Sequence, residues 1–453
     1  MHPFMATEVR ARFLAIGACV VCAVFFPRFS MADAVTDWNA NAGRAARAAC
    51  LSPALDPLHE SRAYAMMHIA IHDALNAIDR RFRPYAYRAE AAPFASGEAA
   101  VAAAARGVLV SVLADAPSFA GAPGCTGTPQ TGVASVEADY AAALAAIPDG
   151  PAKTLGLQIG QAAALTILAI RAGDGSDTDF ADPAYPTGMK PGDWRFTPGF
   201  DFALAPGWRD VAPFVLTHAS QFRPDPPYKL HHRKYAADFD EVKSLGGDGI
   251  GTPTDRTAEL TQIALFWIES SPLMWNRIAR MVSAGEGLDL WENARLFGLL
   301  NVALADGYIA SWDTKYHYQF WRPITAIREA GTDGNPLTDP DLTWTPLQQT
   351  YPMPDYDSAH SVEGGAGAEV LKLVFGRDAI SFSACSLTLP AGQTCEDANP
   401  VWRFYQTFSK AAEENGDSRV YIGIHFRKGV EEGIAHGRRI ARRAVDRFMK
   451  PAR

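Results

Sequence analysis

Cationic and imidazole side chains recur in three separated segments of this chain, at spacings that suit the capture of a tetrahedral oxyanion. The first reads Lys315-Tyr316-His317-Tyr318-Gln319-Phe320-Trp321-Arg322-Pro323. Lys315 and Arg322 stand seven residues apart, nearly two helical turns, which predicts both on the same side of one helix that Pro323 then ends or kinks. Two like charges among Trp312, Tyr316, Phe320 and Trp321 are costly unless an anion sits between them; the bland alternative is an exposed basic edge with snorkelling stems. The second segment, Pro354-Asp355-Tyr356-Asp357-Ser358-Ala359-His360-Ser361, runs into a helix predicted over Val362–Phe375. Turn residues ahead of a helix leave main-chain N–H groups and the Ser358 hydroxyl at its N-terminus, where an anion is well received. His360 there can give or take a proton near neutral pH. Gly364, Gly365 and Gly367 would let another helix approach closely. In the third segment, Ser418-Arg419-Val420-Tyr421-Ile422-Gly423-Ile424-His425-Phe426-Arg427, Arg419 offers a forked guanidinium for two-point contact with an oxyanion. His425 could bond the central atom, as a nucleophile toward phosphorus or as a ligand to a metal. Arg427 reads as a surface or structural cation.

Taken in order, Lys-x6-Arg-Pro, Ser-Ala-His and Ser-Arg-x5-His resemble the three-part motif of the vanadium-dependent haloperoxidases and the related type 2 phosphatidic acid phosphatases. The middle part of that motif usually reads Pro-Ser-Gly-His. The core of the likeness runs from Ser311 to Gly437. Ala65 to Ile78, Gln221-Phe222-Arg223-Pro224 and the run from Phe320 to Arg328 resemble the bacterial haloperoxidase-like branch. The resemblance implies vanadate as cofactor, held by His425. Lys315, Arg322 and Arg419 would neutralise its oxygens, Ser358 and the main chain at Ala359 would contact them, and His360 would assist proton transfer to peroxide. It implies hydrogen peroxide, halide and a small organic substrate as partners. In the phosphatase branch the same pocket holds phosphate and no metal, His425 attacks phosphorus, and His360 protonates the leaving oxygen.

Four departures from that motif mark this sequence. Ala359 stands where glycine is usual and restricts the backbone there. Asp357 replaces a proline and adds a negative charge that could cap the helix or weaken anion binding. Gly429 stands where an Asp often follows the histidine by four and, in phosphatases, orients the nucleophile; Glu431 and Glu432 are the nearby acids left to do so. Met353 puts an oxidisable thioether where an aromatic or histidine tends to shape the halide pocket. The leading expectation is a vanadate-dependent haloperoxidase-like oxidoreductase, because the flanking texture favours that branch and Gly429 disfavours the phosphatase. The alternatives are an exported metal-free phosphatase, or a degenerate member that binds phosphate or vanadate without efficient turnover.

The elements that must position these residues read as helices. Apolar residues recur at helical spacing over Ser61–Ile78, Ala99–Leu113, Ala152–Ala172, Thr257–Ser283 and Leu290 to about Phe320. A Pro/Gly/Asp/Trp-rich segment from Gly173 to about Pro227 lacks periodicity, and a loop of that length carries function or wraps the surface. Few stretches alternate as strands do. The expected architecture is all-α, packed helical bundles, in a single large domain over residues 35–453. That domain would comprise an N-terminal helical part (35–256) and a C-terminal part (257–453) carrying the oxyanion site. His68 and His72, four apart, are read as core histidines on a packed helix rather than as metal ligands, and His231-His232 as a solvated turn.

The 453 residues are 48% hydrophobic, and the formal net charge of −8 argues against nucleic acid as a partner. An anion site must therefore be locally positive inside an acidic body. Arg10 and Arg12 precede an apolar run, Phe13 to Phe26, with Ala32-Asp33-Ala34 as a small-x-small cleavage site, so residues 1–34 read as an export signal. The run is about 14 residues, short of the roughly 20 that a membrane span needs. No other stretch reads as apolar enough to cross a bilayer, so no span is expected after cleavage, and the mature chain is expected in the periplasm or secreted. Four cysteines remain outside the leader. Cys385 and Cys395 bracket a Pro/Gly loop as a candidate disulfide, leaving Cys50 with Cys125, although three pairings are combinatorially open.

Overall fold

The computed structural model describes residues 33–90, 93–122 and 124–452. The export-signal segment lies almost wholly outside the described residues. Its last two positions lie inside them: Asp33 caps the first helix through the Val35 and Thr36 amides and also accepts from Asn293 Nδ2 at 2.8 Å.

Thirteen α-helices make up most of the described residues, joined by two minimal antiparallel sheets, so the all-α expectation holds. Helices α1 (Ala34–Ala48), α2 (Pro57–Ile78), α3 (Gly97–Ala114), α4 (Pro129–Ala146) and α5 (Pro151–Ile170) form an N-terminal group. α3 and α5 lie in close contact, since a Cβ at Gly156 would meet the Ser96 carbonyl oxygen at 2.3 Å and one at Gly160 that of Ala100 at 2.2 Å. Both helices are long and apolar enough, by length and composition, to cross a membrane. That corrects the expectation that no stretch beyond the leader has that character. Helices that pack tightly against one another in a protein core share this apolar composition with helices that cross a membrane.

Residues 173–227 form the predicted irregular segment. It holds only a two-residue pairing of β1 (Ala181–Asp182) with β2 (Ala203–Leu204) and two short 3₁₀ turns. The buried carboxylate of Asp306 pins this segment by accepting from the Phe214, Val215 and Leu216 amides at 2.6, 2.7 and 2.8 Å. Trp194 and Trp208 of the segment are buried with Tyr308, Trp312, Tyr316 and Met353.

The second half contains α6 (Arg233–Gly246), α7 (Ala258–Phe266), α8 (Ser271–Glu286), α9 (Leu290–Tyr318), α10 (Pro323–Glu329), α11 (Ala359–Phe375), α12 (Phe408–Tyr421) and α13 (Arg427–Arg447). The short pair β3 (Phe382–Ala384) and β4 (Arg403–Tyr405) precedes α12. α9 is the central strut, in contact with α2, α11 and α13, so the N-terminal group and the site-bearing helices share one apolar core. α11 packs along α13 at glycine-mediated distance, as its small residues predicted: a Cβ at Gly365 would lie 2.3 Å from the Ile434 carbonyl oxygen.

Two expectations are corrected. Thr257–Ser283 is not one helix but α7 and α8, because Pro272 sits in the first turn of α8 and starts a new helix. Nor do Lys315 and Arg322 share a helix. α9 ends at Tyr318, Gln319 adopts a left-handed conformation at φ 47°, and Arg322 is extended (φ −83°, ψ 157°) ahead of Pro323, which opens α10. The residue before a proline avoids the helical region, so Pro323 dictates the break one turn earlier than a simple kink would. The sulfur atoms of Cys50 and Cys125 are joined, as are those of Cys385 and Cys395.

Candidate oxyanion site

Arg322 and His425 meet although they come from different elements. Arg322 is fully buried; its Nε donates to the Met353 carbonyl at 2.7 Å, and its Nη1 donates to the Ile424 carbonyl at 2.8 Å and to His425 Nε2 at 3.0 Å. Its Nη2 is buried without a partner. His425 Nδ1 lies 2.9 Å from Asp355 Oδ1. A guanidinium has no lone pair, so Nε2 must be the acceptor, and Nδ1 therefore carries the proton and donates it to Asp355. The two contacts fix the same tautomer.

Lys315, on the last turns of α9, is also fully buried. Its Nζ donates to the carbonyls of Pro354, Asp355 and Asp357 at 3.1, 3.0 and 2.5 Å. Its donors thus hold the second motif in place, while its charge lies beside the imidazole. Arg419 donates from Nε to Ser418 Oγ at 2.9 Å and from Nη2 to the Trp267 carbonyl at 2.8 Å, in the break between α7 and α8. His360, second residue of α11, faces the main chain of Ile268 and Glu269, and its Nε2 is buried without a partner. Ser358 caps nothing with its side chain; its Oγ accepts from Ser361 Oγ at 2.9 Å, and its amide donates to the Gly429 carbonyl at 3.0 Å. Ala359 is buried beside it.

The electrostatics follow from this burial of cations. Desolvation lowers both Arg322 and Arg419 to about 10. Desolvation and then Arg322 push Lys315 down to about 7, opposed by Asp357 and Asp355. His425 is held well below the usual imidazole range by burial and by Arg322, Lys315 and Arg419, and His360 likewise by burial and Arg419, so both rings are neutral at pH 7. Burial raises Asp355 to about 7 against the pull of Arg322 and Lys315. An anion would relieve the mutual repulsion of these cations. Sulfate keeps its charge near neutrality, so its affinity should fall by up to about tenfold per pH unit above 7, where Lys315 loses its proton. Calorimetric titration at pH 6 to 9 would check this, and a flat profile would contradict it.

The segments reach the site by means that spacing did not reveal. Asp355 carried no assigned role in the sequence, yet it is the carboxylate on His425. Glu432 instead pairs with Lys428 at 2.6 Å. Asp357 accepts from Ser311 Oγ at 2.8 Å and from His436 Nδ1 at 2.8 Å, and so ties the motif to α9 and α13 while its charge still favours protonated Lys315. Arg427 is structural, as expected, bridging Glu241 and Asp417. His68 and His72 are core histidines: His68 Nε2 accepts from Asn39 at 2.8 Å, and His72 Nδ1 lies 3.0 Å from Asp73. Among the described residues no three His, Cys, Asp or Glu side chains group as a cation site. The convergent charges here are positive, and the buried, unpartnered Arg322 Nη2 and His360 Nε2 suit the oxygens of a vanadate- or phosphate-like group.

The helical architecture, with these cationic side chains gathered between α9, α11 and the α12–α13 junction, is similar to the fold of the bacterial vanadium-dependent haloperoxidases. Residues 295–453 match the sequence family described as the VCPO second helical-bundle domain. Vanadium chloroperoxidase of Curvularia inaequalis is 25% identical over 281 residues, 49% of this chain and 45% of that protein, so the match spans less than half of the curated relative. Two crystal structures share the fold. The first bacterial vanadium-dependent iodoperoxidase has a TM-score of 0.71 at 23% identity, covering 93% of this chain and 98% of that one. A holo-type bacterial vanadium-dependent chloroperoxidase has a TM-score of 0.69 at 17% identity, covering 92% and 97%.

Proposed function

We propose that this chain is an exported, vanadate-dependent haloperoxidase-like oxidoreductase that oxidises halide with hydrogen peroxide and passes the oxidised halogen to a small organic substrate. The observation that carries the reading is the buried lone pair of His425 Nε2, set among the charges of Lys315, Arg322 and Arg419 with a second neutral imidazole, His360, nearby. Vanadate, when bound, supplies Lewis acidity that activates peroxide toward halide. The residues do the rest. His425 offers Nε2 once Arg322 shifts its Nη1 donor from the ring to an anionic oxygen. Arg322 and Arg419 would neutralise the negative charge of the bound group through their guanidinium donors. Lys315 keeps the Pro354–Asp357 loop fixed while contributing its charge. His360, neutral and unpartnered at Nε2, takes a proton from peroxide and returns it to the departing oxygen. Export rests on the leader-like N-terminal pattern and on two disulfides, which persist in oxidising compartments.

A second reading, a metal-free phosphatase with His425 as nucleophile, gains from one observation. The Asp355 contact supplies the orienting carboxylate whose absence at Gly429 disfavoured that branch. The two readings separate in one experiment: purified protein is loaded with orthovanadate and assayed for peroxide-dependent bromide or iodide oxidation, beside phosphomonoester hydrolysis by the unloaded protein. Halide oxidation that appears only after loading is the expected result. Hydrolysis that vanadate inhibits, with no halide oxidation, would replace the first reading with the second.

A further inference from the structure

The structure carries an acidic residue against His425 that no sequence motif marks. Asp355 Oδ1 is 2.9 Å from His425 Nδ1, and its side chain is buried. The backbone beneath it is anchored on both sides: the Asp355 amide donates to the Phe320 carbonyl at 2.9 Å, and its own carbonyl accepts from Lys315 Nζ at 3.0 Å. Across the contact, Gly429 on the first turn of α13 leaves the necessary space. A Cβ there would lie 3.2 Å from Asp355 Oδ2, tighter than most real contacts, whereas its other neighbours, Tyr356 Cδ2 and the Ser358 amide, lie at 3.7 and 3.9 Å. One carboxylate fits against Nδ1, and it comes from the loop rather than from the helix.

We propose that Asp355 is the positioning residue for His425, fixing the ring's rotation and its Nδ1–H tautomer so that Nε2 presents a lone pair, and that Gly429 is the space which this loop-borne carboxylate requires. A carboxylate on the far nitrogen of a ligating imidazole orients the ring and raises its basicity, and losing such a partner costs roughly 10–100-fold in affinity for the bound group. Arg322 donates to Nε2 at 3.0 Å and so requires the same tautomer, which makes Asp355 and Arg322 two constraints on one proton. The geometry also predicts that the carboxylate can be moved. With Asp355 shortened to alanine, the atom that crowds position 429 is gone, and an aspartate introduced there approaches Nδ1 from α13.

The inference deepens the proposed function and rests on it for the bound group, but not for the tautomer. Wild type, Asp355→Ala and the double variant Asp355→Ala/Gly429→Asp are titrated with orthovanadate by calorimetry. The His425 ring nitrogens are read separately by nitrogen NMR of histidine-labelled protein without vanadate. Asp355→Ala is expected to bind vanadate about 10–100-fold more weakly and, with Arg322 left as the one constraint on the proton, to lower the Nδ1–H share of His425, with the double variant recovering both. If Asp355→Ala does not fold, Asp355→Asn, which keeps the volume but loses the charge, carries the test with a weakening of several-fold. Equal vanadate affinity with an unchanged tautomer overturns the positioning role. A wild type that binds no vanadate sinks the functional reading alone, and the tautomer of Asp355→Ala then decides the positioning role by itself, a shift supporting it and no shift overturning it.

Discussion

His425→Ala will lose orthovanadate on dialysis, with its affinity falling by more than the roughly 10–100-fold that outer-sphere changes cost, because the substitution removes the group that would bind the central atom rather than one that orients it. His360→Ala will behave differently. It should retain vanadate within about tenfold of wild type and lose turnover by about 10²–10⁴-fold, the usual contribution of a positioned acid–base group. The asymmetry follows from the contacts. His425 Nε2 faces Arg322 and Nδ1 is taken by Asp355, so this ring has one lone pair at the centre of the cationic group. His360 Nε2 has no partner at all, and its burial beside Arg419 keeps it neutral. A neutral base of that kind contributes little to ground-state binding of an anion, and its value appears only when a proton must move. Vanadate retention by dialysis, followed by peroxide-dependent halide oxidation on the loaded variants, separates the two roles. Equal retention by His425→Ala and wild type would show that the imidazole is not the ligand, and a His360→Ala variant with full turnover would remove the proton-transfer role.

The sequence made the cast legible better than the staging. The three segments could be found because each pairs chemistry-bearing residues with a local signal: a proline after Arg322, turn residues before the α11 helix, and a fixed interval between Arg419 and His425. Their joint burial was readable from aromatic neighbours and from small residues that promise close helix contact. What spacing could not reveal was the path of the backbone between Lys315 and Arg322. A left-handed residue at Gln319 ends α9, and nothing at that position distinguishes it from a helical glutamine until Pro323 forces the following segment to be extended. The role of Asp355 was illegible for a different reason. A carboxylate two residues from another, Asp357, is ambiguous in sequence, and the structure sends one to His425 and the other to His436 and Ser311. Gly429 could be read in the sequence as a missing aspartate, but not as the room that Asp355 needs, since the position of that carboxylate comes from the fold.

The second large effect concerns the distance between the helices that carry the two imidazoles. His360 lies at the start of α11, and His425 lies two residues before α13, so the separation of those helices sets the separation of the rings. Three glycines of α13's face and its partner hold that separation. A Cβ at Gly437 would meet the Val362 carbonyl oxygen at 1.9 Å and the Ala366 amide at 2.6 Å, one at Gly433 would meet the Ser358 carbonyl oxygen at 2.8 Å, and one at Gly365 the Ile434 carbonyl oxygen at 2.3 Å. All of these are backbone atoms, which cannot rotate aside as a side chain would. Replacing a helical glycine by alanine normally gains about 0.8–1 kcal/mol in helix propensity. Forcing one methyl into a packed contact costs about 1–3 kcal/mol, and the steric term wins where the obstacle is main chain. Gly437→Ala should therefore destabilise the protein despite the better helix former, lower the denaturant midpoint, and weaken vanadate retention by moving α11 away from α13. Gly285 on α8 supplies the control, because a Cβ there meets nothing within 4 Å. Gly285→Ala should raise the midpoint by the propensity gain alone and leave retention unchanged. Opposite signs for the same substitution on two helices would show that interhelical contact, not helix propensity, governs position 437; a rise at both positions would mean that α11 and α13 can separate without cost, and that the spacing of His360 and His425 is not set by their glycines.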